Sequence, residues 1–255
     1  MREMELTDIY RRDGYICLRG LLSADEVATL NAECATIAGG QDILALHFPH
    51  KLSAIYREAM HHNRIVATLT TLIGRDVKAV QSMLFIKPAG KPGQAWHQDE
   101  HFIPTRDRSL CAVWIALDDT DIENGCLWVH AGSHRDWIIY PVSPHDDSRF
   151  DASPEAGAFA YRREGGAAVE MRAGDVLFFN GYLLHRSLPN LSENRRRRSL
   201  VIHYMNACSL LPWNYDGNSP TDDHRDIEMV AGTDPYAWKG ITDLTRPFVR
   251  ADEPA

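Results

Sequence analysis

The chain has 255 residues, enough for one large domain or two small ones with a substantial core. Its formal net charge of −8 argues against nucleic acid as the main partner, because phosphate binding draws on an excess of lysine and arginine. No apolar stretch is long enough to cross a bilayer, and the N-terminus lacks the apolar run of a signal peptide. The five widely spaced cysteines include no C-x-x-C pair, as is typical of reduced thiols, so we expect a cytoplasmic protein without a membrane partner.

The first 75 residues are predicted to be mainly helical. DGYICLRGLL alternates weakly between apolar and polar residues and predicts one strand. Ser23 and Glu26 have the spacing of a capping box, so a helix should begin there and end at Gly39. A second helix is predicted to begin after Ser53 and to end at Gly74.

After residue 75 the pattern changes to short strands separated by turn residues. The runs are VKAVQSMLFIK, LCAVWIALDD, GCLWVHAG, GAAVEM, GDVLFF and RSLVIHYM. They predict an antiparallel sandwich or barrel and argue against a parallel α/β sheet. Residues 131–166 and 207–255 lack periodicity, and loops of that length usually shape a site. We therefore expect a lid over a pocket in the first segment and a C-terminal wrap in the second.

The stretch AWHQDEHF contains a possible metal site. His97 and Asp99 are two residues apart, so on an extended segment both side chains leave from the same face. His185, just beyond the run GDVLFF, offers a third ligand. Two imidazoles and one carboxylate form the facial triad of non-haem Fe(II) oxygenases, although zinc also accepts this set. Spacing alone leaves other candidates for the third ligand, namely His101, His130, His134 and His203.

A run of four arginines, from Arg195 to Arg198, follows His185 where the next strand is predicted to begin. An arginine that points inward from this strand can hold a carboxylate through two parallel hydrogen bonds. A 2-oxo acid has the matching shape, since its keto-acid end chelates iron while its far carboxylate needs a cation. Four consecutive strand residues cannot all face inward, so the others should form a solvated basic patch.

Four longer stretches resemble the phytanoyl-CoA dioxygenase family of Fe(II)/2-oxoglutarate oxygenases. They are DGYICLRGLLSADEV, SMLFIKPAGKPGQAWHQDEHF, AVWIALDDTDIENGCLWVHAGSHR and RAGDVLFFNGYLLHRSLPNLSENRRRRSLVIHY. The resemblance implies a mainly β fold with flanking helices around a double-stranded β-helix, the cupin-like jelly roll. It also implies a single domain over residues 1–255, with N-terminal helices at about 1–75, the jelly-roll core at about 76–206 and the wrap at 207–255.

The resemblance assigns roles to particular residues. It makes His97, Asp99 and His185 the iron ligands. For 2-oxoglutarate it indicates Met83, Gln98, Trp114, Ser187 and an arginine. The family's usual spacing selects Arg196, but aligning the strand RRSLVIHY requires one inserted residue and selects Arg197. Alternation then places Arg197, Ser199, Val201 and His203 on one face. A further cosubstrate lysine of the family has no clear counterpart here, His47 and Lys51 being the nearest residues.

The implied function is that of an Fe(II)- and 2-oxoglutarate-dependent dioxygenase that uses O2 to hydroxylate a C–H bond, releasing succinate and CO2. Because halogenases of this superfamily replace the carboxylate ligand with a small residue, Asp99 favours hydroxylation. The alternatives are a non-catalytic cupin-like module that binds a metal or small molecule, and a zinc hydrolase or isomerase. We expect a small or medium organic substrate, and the sequence makes no prediction of oligomeric state. The residues expected to line the substrate pocket are His101, Arg106, Trp128 and His134.

Overall fold

The computed structural model describes residues 3–39, 44–158, 160–212 and 223–250. The helices are α1 (Glu3–Asp13), α2 (Ala24–Ala38), α3 (Ala54–Met60), α4 (Asn63–Ile73) and α5 (Asp99–Phe102). The strands are β1 (Tyr15–Leu18), β2 (Ala45–His47), β3 (Val77–Lys87), β4 (Gln94–His97), β5 (Cys111–Ala116), β6 (Leu127–Val129), β7 (Val142–Ser143), β8 (Glu155–Ala156), β9 (Ala167–Val169), β10 (Val176–Asn180), β11 (His185–Ser187), β12 (Arg197–Asn206), β13 (Glu228–Ala231) and β14 (Phe248–Arg250). Short 3-10 turns cover Pro49–Lys51 and Ala237–Lys239.

Two antiparallel sheets form the core of the molecule. The larger sheet has the order β1-β10-β5-β12-β3-β2-β14, with β13 also paired to β3. The smaller sheet has the order β4-β11-β6-β9. Neighbouring strands in both sheets are far apart in the chain, as in a jelly roll, and the predicted antiparallel architecture is observed.

Alternation along β12 separates two apolar layers. Leu200, Ile202 and Tyr204 point toward the helices and join the largest buried cluster. Val201 points toward the smaller sheet, where a second cluster contains Trp114. The helices therefore cover one face of the larger sheet, and the other face is left to pack against the smaller sheet and to line a cavity.

The N-terminal region is more helical than the sequence indicated. The capping box of Ser23 and Glu26 is present, and Gly39 ends α2 in the left-handed conformation. The predicted second helix is two helices, because His62 adopts an extended conformation between α3 and α4. Helix α1 was not predicted.

The two aperiodic segments contribute short strands. In residues 131–166, β7 pairs with β8, and Phe150 bridges to Gly93. In residues 207–255, β13 pairs with β3 and β14 pairs with β2, while the parts of the predicted wrap at 213–222 and 251–255 lie outside the described residues. Within the described part of the chain, no helix has the length and apolar character needed to span a bilayer.

Candidate metal centre and cosubstrate pocket

The structure brings His97, Asp99 and His185 together in a buried cluster. Each offers a ligand atom that lies within 4.8 Å of the other two. The Oδ1 atom of Asp99 is 3.5 Å from Nε2 of His185 and 3.9 Å from Nε2 of His97. Three donors that converge in this way fit an ion that keeps further coordination positions open.

Strand pairing explains how residues so distant in the chain meet. His185 in β11 lies directly opposite His97 in β4, so the two imidazoles form a cross-strand pair with ring centroids 4.1 Å apart. Gln98 continues the extended conformation before α5 begins at Asp99. His97 and Asp99 therefore point to the same side, as the spacing predicted.

Hydrogen bonds fix the tautomers of both histidines. Nδ1 of His97 lies 2.8 Å from the carbonyl oxygen of Ala95, and Nδ1 of His185 lies 3.0 Å from that of Leu183. A carbonyl oxygen only accepts, so each Nδ1 carries the proton and donates it. Each Nε2 then presents its lone pair toward Asp99, as a neutral metal-ligating imidazole requires.

The charge states also suit a cation. Burial, followed by the neighbouring imidazole of His185, lowers the pKa of His97 to about 3, so this ring is neutral at neutral pH. Burial alone would raise the pKa of Asp99, but His185 and His203 outweigh it and the pKa is lowered. His203 lies 3.1 Å from the outer oxygen of Asp99 and so orients the carboxylate, leaving Oδ1 for an ion.

Arg197 is a buried cation for which the described residues offer no carboxylate partner. Its side chain is 3% exposed, Nη1 donates to Ser199, and Nε has no acceptor among the described residues. Burial lowers the pKa of Arg197 to about 10. Its neighbours differ: Arg195 pairs with Asp121, and Arg198 pairs with Asp118.

A buried guanidinium of this kind is costly unless an anion binds beside it. Arg196, the alternative that the family spacing selects, is exposed. The alternation predicted for β12 therefore places Arg197, and not Arg196, inside the cavity.

Lys87 is a second buried cation that the sequence analysis missed. It lies opposite Arg197 in the pairing of β3 with β12. Its ammonium group donates to the hydroxyl of Ser187 at 3.0 Å and to the carbonyl of Leu188 at 2.9 Å. Burial, and after it the charge of Arg197, lowers the pKa of Lys87 well below its usual value. The sequence could have indicated it, because Lys87 continues the alternation of Met83 and Phe85 along β3 and therefore faces the same side of the strand.

A cavity of about 320 Å³ connects the metal cluster with these cations. Met83 and Trp114 lie on either side of Val201 in adjacent strands, and both line it. The guanidinium of Arg197 lies 5.7 Å from the ring of Trp114. Ser187 also lines the cavity. Four of the five residues expected to contact the cosubstrate thus share one pocket, namely Met83, Trp114, Ser187 and Arg197.

Gln98, the fifth, points elsewhere. Its amide nitrogen donates to the carbonyl oxygens of Ile138 and Tyr182, and its amide oxygen accepts from the backbone of Tyr140. Because side chains alternate along an extended segment, the residue between His97 and Asp99 must face away from them. Gln98 therefore fastens the segment around residues 138–140 and does not line the cavity.

The four residues expected to line the substrate pocket also lie outside this cavity. His101 and Arg106 are exposed. Trp128 packs beside Arg186 behind the smaller sheet, and Nε2 of His134 lies 3.1 Å from the carbonyl of Arg11 in α1. The cavity walls instead include Phe48, Phe102, Phe248 and Arg250, which sequence position gave no reason to group.

Comparison with known proteins identifies the family. The family model of phytanoyl-CoA dioxygenase matches residues 10–198. A phytanoyl-CoA dioxygenase of Arabidopsis thaliana is 30% identical over 164 residues, which cover 64% of this chain and 57% of the relative. The chain thus spans little more than half the length of that relative. An ectoine dioxygenase of Bordetella parapertussis is 27% identical over 246 residues, covering 84% of this chain and 79% of the relative.

Solved structures with the same fold are non-haem enzymes. The monooxygenase ThoJ superposes with a TM-score of 0.73 at 25% identity, covering 90% of this chain and 84% of ThoJ. The epimerase SnoN, in complex with Fe3+, α-ketoglutarate and nogalamycin RO, superposes with a TM-score of 0.70 at 25% identity, covering 91% of this chain and 95% of SnoN.

These findings confirm the predicted jelly-roll fold, the predicted class of enzyme and the predicted cofactors, iron, 2-oxoglutarate and O2. The family model covers most of the chain, and its match includes the metal cluster and Arg197. The protein belongs to the phytanoyl-CoA dioxygenase family of Fe(II)/2-oxoglutarate-dependent non-haem oxygenases.

Proposed function

We propose that this protein is a dioxygenase that hydroxylates an unactivated C–H bond of a small or medium organic molecule. The observation that carries the proposal is that one cavity holds both a three-ligand cluster and a buried guanidinium that has no carboxylate partner among the described residues. The first suits a divalent iron ion and the second suits the far carboxylate of 2-oxoglutarate. Together they match a cosubstrate that binds the metal with one end and the guanidinium with the other.

His97, Asp99 and His185 would hold the iron. The hydrogen bonds of Nδ1 leave Nε2 of both imidazoles directed toward the metal cluster. When bound, the iron and 2-oxoglutarate supply the oxidising chemistry, in which O2 converts 2-oxoglutarate to succinate and CO2 and its second oxygen atom becomes the hydroxyl of the product. His203 keeps Asp99 in place by its contact with the outer oxygen.

Arg197 would bind and orient the cosubstrate. Trp114 and Met83 form walls beside it, and the hydroxyl of Ser187 is held by Lys87 at the same end of the cavity. A carboxylate beside Arg197 and Lys87 would compensate two cations that the described residues leave without a close anion. This arrangement fixes the position of the cosubstrate before the substrate enters.

Part of the cavity wall is apolar. Phenylalanine side chains line the cavity near the metal cluster and near its mouth, which suits a substrate with an apolar surface. The cavity volume of about 320 Å³ leaves room for a molecule of small or medium size. These features support a small-molecule substrate and do not depend on the names of relatives.

A non-catalytic metal-binding module is the main alternative. It would bind metal but would not consume 2-oxoglutarate, and it gives no reason to bury Arg197 and Lys87 beside the metal cluster. A zinc hydrolase or isomerase leaves the same two cations unexplained. Relatives of this fold include an epimerase and a carbocyclase, so the product must be analysed as well as the cosubstrate.

The test begins with anaerobic reconstitution with Fe(II), followed by addition of 2-oxoglutarate, O2 and a panel of organic molecules. We expect succinate release that requires iron, together with a product that has gained one oxygen atom. Asp99→Asn and His97→Ala should abolish succinate release. The matched control is His61→Ala, because His61 is a surface histidine paired with Glu228. Full succinate release by the Asp99 and His97 variants would refute the assignment of the metal site.

A further inference from the structure

The last described strand delivers side chains into the active-site cavity. In β14, Phe248 and Arg250 alternate with Val249 and both line the cavity, and the side chains of Phe248 and Val249 are each about half exposed. Phe248 stacks on His47 of the neighbouring strand, with ring centroids 4.2 Å apart. The position of Arg250 is therefore set by strand pairing and by a packed aromatic neighbour.

Strand β14 lies outside the part of the chain that defines the family. The match ends at residue 198, and it includes the metal cluster and the residues proposed to hold 2-oxoglutarate. Phe248 and Arg250 thus line the cavity from a segment that the family model does not include. Residues outside the shared machinery are where substrate specificity is expected to lie.

The guanidinium of Arg250 is incompletely satisfied. Nη2 donates to Asp151 at 2.9 Å, and Nη1 lies 3.5 Å from the hydroxyl of Ser153, at the limit of a hydrogen bond. Nε is buried and has no acceptor among the described residues. Since an arginine has five N–H donors, this side chain retains capacity for a second acceptor group from within the cavity.

The electrostatic balance of the cavity also favours an anion. Its described lining includes three cationic side chains, Lys87, Arg197 and Arg250, and two carboxylates, Asp99 and Asp151. Burial, and after it the charge of Arg250, lowers the pKa of His47 to about 4, so this ring adds no charge. A doubly charged ferrous ion and the 2-oxoglutarate dianion cancel, which leaves the loaded cavity with an excess of one positive charge.

We infer that Arg250 determines substrate specificity by binding an acidic group, and that the substrate is an organic anion whose apolar body packs against Phe248. The inference rests on the proposed function, because it places the acidic group beside a site already loaded with iron and 2-oxoglutarate. Asp151 holds the guanidinium in position but competes with the substrate for it.

The pairing of Arg250 with Asp151 also suggests a purely structural role, in which the ion pair fastens β14 to the segment around residue 151. The two roles predict opposite effects of Asp151→Asn on the affinity for anions. If the pair only fastens the strand, Arg250→Met and Asp151→Asn should weaken ligand binding alike. If Arg250 binds the substrate, Asp151→Asn should strengthen the binding of anions, because it removes the competing charge while an amide oxygen can still accept from the backbone of Ser153.

The experiment measures binding by isothermal titration calorimetry to protein loaded with Mn(II), a redox-inert substitute for iron, and with 2-oxoglutarate. The probes are matched pairs, 3-phenylpropanoate with 3-phenylpropanamide and octanoate with octanamide. We expect the protein to prefer the acid of each pair by about tenfold to a hundredfold, as for a hydrogen-bonded ion pair. The preference should disappear in Arg250→Met, return in part in Arg250→Lys and increase in Asp151→Asn.

Arg246→Met is the matched control, since Arg246 is an exposed arginine of the same C-terminal segment. It should leave the preference unchanged. Equal binding of acids and amides, or no binding of either, would overturn the inference while leaving the proposed function intact, provided that Mn(II) and 2-oxoglutarate bind. A loss of 2-oxoglutarate affinity in Arg250→Met would also overturn it, by assigning Arg250 to the cosubstrate. Failure of the unmodified protein to bind 2-oxoglutarate would overturn both.

Discussion

Replacing Arg197 with methionine should affect stability and cosubstrate binding in opposite directions. The side chain is 3% exposed and its pKa falls from 12.5 to about 10, so burial disfavours the cation by roughly 3 kcal/mol. Methionine removes that penalty but also the hydrogen bond to Ser199 and part of the packing on Trp114. We therefore expect the free energy of unfolding of the cofactor-free protein to rise by about 1 to 3 kcal/mol.

Binding of 2-oxoglutarate should weaken in the same variant. Truncating one partner of a buried, hydrogen-bonded charge pair costs about 3 to 5 kcal/mol, roughly a factor of 100 to 5,000 in Kd. Calorimetric titration of Mn(II)-loaded protein gives the Kd, and urea denaturation of the cofactor-free protein gives the stability. Arg196→Met, at the exposed neighbouring position, should change neither quantity by much. A large loss of affinity in Arg196→Met with none in Arg197→Met would refute the register on which the pocket assignment depends.

Four other outcomes follow from the described contacts. His97→Ala should abolish stoichiometric metal binding, measured as metal content after reconstitution. Gln98→Leu should lower the free energy of unfolding by about 2 to 4 kcal/mol in urea, because three backbone groups, two of them in buried hydrogen bonds, lose the amide of Gln98. The folded-state pKa values of His47 and His50 are about 4, below the ordinary 6.5, so their contribution to stability is complete above pH 6.5 and is lost as the pH falls toward 4, by at most about 3 kcal/mol each in acid denaturation curves. Lys87→Met should weaken the binding of 2-oxoglutarate in calorimetric titration of the Mn(II)-loaded protein, because a carboxylate held beside Arg197 also lies beside the ammonium group of Lys87.

The metal cluster was accessible from sequence because its geometry depends on local rules. The spacing of His97 and Asp99 fixes a shared face on any extended segment. Arg197 was selected over Arg196 by aligning its strand with the family, and alternation then placed it on the same face as His203. The same alternation directs Gln98 away from the face that His97 and Asp99 share, so the sequence alone could have shown that Gln98 does not lie beside the metal ligands. The position of Lys87 in the cavity was predictable by the same rule, because Lys87 continues the alternation of β3 at the end of the strand.

The substrate end of the cavity was not accessible in this way. Phe248 and Arg250 reach it only because β14 pairs with β2, and a three-residue strand carries no periodic signal. His101 and Arg106 are close to the metal cluster in sequence, yet helix α5 turns the chain outward and exposes them. Proximity along the chain therefore indicated two of the metal ligands, His97 and Asp99, but not the residues that line the substrate end of the cavity.

The cross-strand pairing of His97 with His185 has a consequence for how the protein acquires iron. Strands β4 and β11 come together only when the chain between them has folded into both sheets, so an incompletely folded chain presents at most His97 and Asp99 to a metal ion. Iron held by two ligands dissociates readily, whereas the third ligand appears with the finished fold. Stable capture of the ion is thus expected only of molecules in which both sheets have already formed.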